Sequence, residues 1–196
     1  MARLPSPEPR AIGEREALLA LARASIEHGV HTGLPLAVDL LALPPGLRAP
    51  GAAFVTLHRH GELRGCTGEL EARQPLAASV AHQAFSAAFR DPRFAPLASA
   101  ELADLDVHIS ILGPLSPLDV GSLAELIAAL RPGIDGLLID DGLHRATFLP
   151  AVWESLPEPL TFACELWRKA GLASGAWPAE LRAWRYEVES IAHLKT

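Results

Sequence analysis

Apolar residues recur along this chain with two periods, one helical and one extended, and the changes between them divide it into elements. In "EREALLALARASIEHGV", residues 14–30, Leu18, Leu21, Ala22, Ser25 and Ile26 fall at helical spacing. Glu14 and Glu16 sit in the first turn, where the helix dipole favours acids, and Gly29 is a plausible stop. An apolar run at 36–43 leads into "LPPGLRAPGA", a loop by its proline and glycine content. "FVTLHRHGELRGCTGEL", residues 54–70, follows as a hairpin turning at His60-Gly61. Residues 74–89 predict a helix with Pro75 near its first turn, stopped by the two prolines of "DPRFAPL". "LDVHISIL", 105–112, alternates as a strand does, and "GPLSPL" closes it. Ser122 caps a short helix through Leu130. A second hairpin pairs 137–139 with 144–149 across a turn at Asp141-Gly142, and Pro150 opens a helical turn through Leu156. "LTFACELWRKAGL" is a helix ending at Gly171. "LRAWRYEVESIAHL" puts Trp184, Tyr186 and Val188 on one side and reads as one closing strand.

Helices and strands alternate irregularly, with two hairpins. That pattern argues α+β, a mainly antiparallel sheet flanked by helices, over a doubly wound parallel sheet. Residues 1–12 read as a loose arm and 13–196 as a single domain, within which the loops at 44–51 and 113–117 could separate subdomains. The chain has 196 residues and is 49% hydrophobic, enough for a real core. Its net charge of −6 argues against nucleic acid and anionic membrane, which want concentrated Lys and Arg. Two cysteines, Cys66 and Cys164, are too few for a disulfide scaffold and read as reduced thiols. "MARLPSPEPR" has no apolar h-region, and no run approaches a membrane span, so a cytoplasmic protein is expected.

The candidate chemistry lies in the first hairpin. Strand alternation places Arg64, Cys66 and Gly68 on one face, and Leu63, Gly65 and Thr67 on the other. A guanidinium beside a thiol favours the nucleophilic thiolate, and flanking glycines leave approach to the sulfur open. Cys66 is then a nucleophile or ligand thiol with Arg64 holding an anionic group. The plainer alternative is a buried cysteine acting as a small hydrophobe, with Arg64 in a structural ion pair to Glu62 or Glu69. Register decides what faces the thiol. A two-residue turn sets Val55 across from Cys66. A three-residue loop sets Phe54 there and brings His58 near as a possible base. Arg93 of "DPRF" is either a second anion ligand or, with Asp91, a fixture at the end of the preceding helix. Arg145 is a further candidate, on the strand of "RATFLP". No metal is expected: His58, His60, Glu62 and Cys66 are close in sequence, but no second cluster with zinc spacing exists. Walker, Rossmann and nucleophile-elbow motifs are absent, so no cofactor is expected.

Taken together, "LRGCTG" at 63–68 after Gly61-Glu62, "DPRFAPL" at 91–97, "GIDGLLI" at 133–139 and "RATFLPAVWESLP" at 145–157 resemble the AMMECR family, also called AmmeMemoRadiSam system protein A. The resemblance runs from near Glu14 to near Val188. It implies an α+β domain of two subdomains with a groove between them, and makes the hexapeptide the suspected functional centre. With the residues read above, the candidate site is Arg64, Cys66 and His58, with Gly65, Thr67, Gly68, Arg93 and Arg145 as binding residues. The resemblance also implies association with Memo-type and radical-SAM proteins. It delivers no reaction. Thr67 departs from the family's usual apolar residue, and His144 stands where a small or basic one is common. The expectation is a thiol-centred site for a small anionic or carbonyl substrate, with a non-enzymatic partner-docking domain as the alternative.

Overall fold

The computed structural model describes residues 9–173 and 175–192. The expected arm at 1–12 therefore falls largely outside the described residues. The chain forms two compact units, one of residues 9–112 with 189–192 and the other of 113–188.

In the first unit, helix α1 (Ile12–Thr32) precedes strands β1 (Ala53–Arg59) and β2 (Glu62–Gly68), helix α2 (Leu76–Phe89) and strand β3 (Leu105–Leu112). Strand β8 (Val188–Ala192) returns to complete a four-stranded sheet in the order β2-β1-β3-β8. The alternation in β1 and β3 explains how this sheet is covered. Ala53, Val55 and Leu57, with Leu105, Val107, Ile109 and Ile111, are buried. They join Leu18, Ala22 and Ile26 of α1 and Val80, Ala84 and Ala87 of α2 in one core. Each large aliphatic side chain buried this way contributes about 1.5–3 kcal/mol. The alanines of α2 let its backbone lie close against the strands. The intervening residues Phe54, Thr56 and His58 on β1, and Asp106, His108 and Ser110 on β3, point to the opposite face and are half-buried or exposed.

The second unit holds strand β4 (Ser116–Leu118), helix α3 (Leu123–Ala129), the hairpin β5 (Gly136–Asp140) and β6 (Arg145–Phe148), helix α4 (Pro159–Ala170) and strand β7 (Arg182–Tyr186). Its sheet runs β4-β7-β5-β6. Leu126, Leu137, Ile139, Phe162, Leu166 and Trp167 form a separate core. Trp153 stacks on Phe162 with ring centroids 3.8 Å apart, and its Nε1 donates to the Asp135 carbonyl at 2.7 Å. Asp135 is fully buried, and its carboxylate is held by Arg131.

The structure is α+β with antiparallel sheets, as the pattern predicts. Two details differ. The expected single closing strand is two: β7 ends at Tyr186 in the second unit's sheet, and β8 begins at Val188 in the first's. Alternation carries through the break, so the pattern gives no sign of the change of sheet. "SPL" at 116–118 is a strand rather than a closing loop, paired with β7 from Ser116↔Arg185 to Leu118↔Ala183. Pro117 fits there because β4 is an edge strand. Among the described residues, no helix is long and apolar enough to cross a membrane.

Candidate functional site

The β1–β2 hairpin turns on two residues. His60 and Gly61 have φ of 52° and 85°, the left-handed pair of a type I′ turn. Arg59 then faces Glu62, and His58 faces Leu63. The next pair is Leu57↔Gly65, so Arg64 is an extra residue, a β-bulge, and Cys66 falls opposite Thr56. Both registers expected from the sequence are therefore corrected. Neither Val55 nor Phe54 faces Cys66, because the bulge moves every partner beyond it by one.

Alternation holds from Gly65 to Gly68. A Cβ at Gly65 would overlap the Ala87 carbonyl of α2. Thr67 Oγ1 donates to the Gln83 carbonyl of the same helix at 2.9 Å. On the other side, a Cβ at Gly68 would overlap the Phe54 ring. Arg64 leaves this pattern at the bulge. Its Nε and Nη2 donate to the two carboxylate oxygens of Glu101 at 2.8 and 3.0 Å, and Nη2 also donates to Ala95 O at 3.0 Å. Its Nη1 is buried without a hydrogen-bond partner. The ion-pair partner is thus Glu101, not Glu62 or Glu69. Hydrogen bonding to Arg64 holds the Glu101 carboxyl at about 2, helped by the Ala98 N–H and the charge of Arg59.

Cys66 is a free, half-buried thiol outside the core. Its Sγ accepts a hydrogen bond from Thr56 Oγ1 at 3.3 Å. Its N–H donates to Asp91 Oδ2 at 2.9 Å. Asp91, 5% exposed, also accepts from Arg93 N–H at 3.1 Å, Arg93 Nε at 2.9 Å and Arg93 Nη2 at 2.6 Å. These bonds, chiefly those from the Arg93 side chain, hold its carboxyl well below the usual range. The Arg93 pKa is raised by the same pairing. Arg93 and Arg64 lie over the Phe94 ring at 5.4 and 5.8 Å from its centroid. Asp91 and Arg93 do not close the end of α2: Arg90 N–H bonds Ser86 O and Leu97 N–H bonds Ala88 O.

"LRGC" and "DPRFA" are therefore locked to one another at Arg64, Cys66, Asp91 and Ala95. His58 sits two residues along β1 from Thr56, with its ring edge-on to His108 at 4.9 Å. Its Nδ1 is buried without a hydrogen-bond partner, and no hydrogen bond joins it to Cys66. Arg145 lies in the other unit, on β6, 3.6 Å from Asp140. Among the described residues, no group of three or more His, Cys, Asp or Glu could hold a metal ion. Sequence reasoning missed Thr56, Glu101 and the role of Asp91. "DPR" does carry a signal, since aspartate before proline commonly bonds a backbone N–H two residues on. The bond to Cys66, 25 residues away, has none.

Residues 19–191 match the AMMECR1 family. The chain belongs to that family. The chain is also similar to a protein of Methanothermobacter thermautotrophicus, 36% identical over 92% of this chain and 95% of the other. Protein MJ0810 of Methanocaldococcus jannaschii is 34% identical over 86% of this chain and 84% of its own. The fold is similar to the crystal structure of uncharacterized protein PH0010 from Pyrococcus horikoshii, with a TM-score of 0.84 and 29% identity over 91% and 90% of the two chains.

Proposed function

We propose that this AMMECR1-family protein works through the Cys66 thiol, which acts on or binds a small anionic or carbonyl substrate. One observation carries the reading. Within the hexapeptide, Arg64, Gly65, Thr67 and Gly68 each have a structural reason: an ion pair, a close helix contact, a hydrogen bond to α2 and room for Phe54. The thiol has none comparable. It fills no part of the core, is partly exposed, and takes only a hydroxyl donor from Thr56. A hydroxyl aimed at sulfur suits a thiolate, the nucleophilic form. Arg64 is spoken for by Glu101, so Arg93 replaces it as the cation beside the thiol. The association with Memo-type and radical-SAM proteins, implied by the resemblance, is retained as part of the proposal.

The test is the rate of iodoacetamide modification at Cys66 in the folded chain, followed by peptide mass spectrometry. Cys66 is expected to react in the native state, and to react faster than half-buried Cys164 on α4. A Cys66 that is modified only after unfolding overturns the thiol-centred reading and leaves partner docking in its place.

A further inference from the structure

The polar end of such a substrate is left open by the thiol alone, and the Asp91–Arg93 pair narrows it. Asp91 has four hydrogen bonds arriving at its two oxygens, from Cys66 N–H and from three Arg93 donors. That fills the acceptor capacity of a carboxylate. At 3% side-chain exposure it is a fixed support, with nothing left for a ligand. Arg93 is differently placed. A guanidinium has five N–H groups, and Asp91 takes the Nε–H and one on Nη2. Of the remaining three, one on Nη1 and one on Nη2 form the end of the fork, on a side chain 54% exposed. This is an edge on which a guanidinium takes a carboxylate bidentately.

Arg64 cannot compete for that role. Two of its nitrogens are engaged by Glu101 and Ala95, and the third is buried. Asp91 and Arg93 together are neutral, and Glu101 and Asp104 are already paired with Arg64 and Arg59. A single half-satisfied guanidinium with no net positive charge behind it suits a monoanion better than a phosphate dianion, which wants several donors of net positive charge.

We propose that Arg93, held by Asp91, receives the carboxylate of a small monoanionic ligand whose reactive carbon meets Cys66. Asp91 is a positioning residue: the same carboxylate fixes the thiol's backbone and the guanidinium, and so sets the distance between the two. This inference rests on the thiol-centred reading above.

Iodoacetate and iodoacetamide test it directly. They present the same carbon, and in both the thiolate displaces iodide, but only the first carries a carboxylate. The full chain is treated with each reagent, and rates at Cys66 and Cys164 are read from the same digests. The iodoacetate-to-iodoacetamide rate ratio is expected to be about tenfold higher at Cys66 than at Cys164, the scale of one charge-assisted hydrogen bond. Arg93→Gln is expected to bring the Cys66 ratio down to that of Cys164, since the ratio cancels any change in thiolate reactivity that both reagents share. Equal ratios at the two cysteines in the wild-type chain, which needs no variant to fold, overturn the carboxylate assignment while leaving the thiol reading intact. A preference that survives Arg93→Gln overturns the role of Arg93. A Cys66 inert to both reagents in the folded chain overturns both proposals.

Discussion

Gly65 and Gly68 lie three residues apart in one strand and are glycines for different reasons. A side chain at Gly65 would meet the carbonyl of Ala87, and a helix backbone has no rotamer by which to withdraw. A side chain at Gly68 would meet the Phe54 ring at its root, so the whole ring must rotate about its first side-chain torsion, which a half-buried residue still allows. Gly65→Ala is expected to cost about 2–3 kcal/mol, at the upper end of overpacking, and Gly68→Ala about 1–2 kcal/mol. Urea unfolding of the two variants measures the difference. Equal costs would mean that α2 shifts as freely as a phenyl ring. At this scale the sequence was only partly legible. The glycines, a turn around His60-Gly61 and the thiol stood out, because each follows from local chemistry, but whether the turn held two residues or three stayed open. The bulge at Arg64 did not, since it is fixed by Glu101, 37 residues on, and it alone brings Thr56 opposite Cys66.

Between elements, carboxylates do the joining. Glu101 ties the segment before β3 to the bulge of β2, and Asp91 ties the segment after α2 to Cys66. Both are held at depressed pKa values, with Glu101 at about 2 against an ordinary 4.5. The folded chain therefore binds these protons less readily than the unfolded chain does. Their contribution is present in full above the unfolded pKa values, and it is lost as pH falls through the folded ones. Stability is expected to decline from pH 5 towards pH 2, and Glu101→Gln, already lacking one such group, should decline less steeply. Urea midpoints across that range measure it, and identical slopes would remove Glu101 from the account. The elements themselves were well marked in the sequence. Leu105–Leu112 matches the expected strand, and Ser122 accepts from Glu125 N–H at 3.3 Å as its capping position requires. The end of the chain was less legible, because a period of two continues across Glu187 while the hydrogen-bonded partners change.

For the whole molecule, two cores imply two places where folding can fail. The first is built on α1, α2 and the β1–β3 strands, the second around Trp153, Phe162 and Trp167. Phe162→Ala removes a ring stacked on Trp153 and edge-on to Phe148, at a cost of about 3–5 kcal/mol. Amide exchange is expected to quicken in β5, β6 and β7 far more than in β1 and β3. Uniform quickening would show one cooperative unit instead. The presence of two cores was not legible in composition, since neither loop at 44–51 nor 113–117 marks a change in it, yet the chain passes between units at Gly113. Strand β2 also bears on how one molecule meets another. It is the rim of its sheet, where an unpaired N–H invites a foreign strand to add and aggregation to begin. At Cys66 that N–H already belongs to Asp91. The aspartate that steadies the thiol thus also guards the chain against stacking edge to edge with its neighbours in a crowded cell.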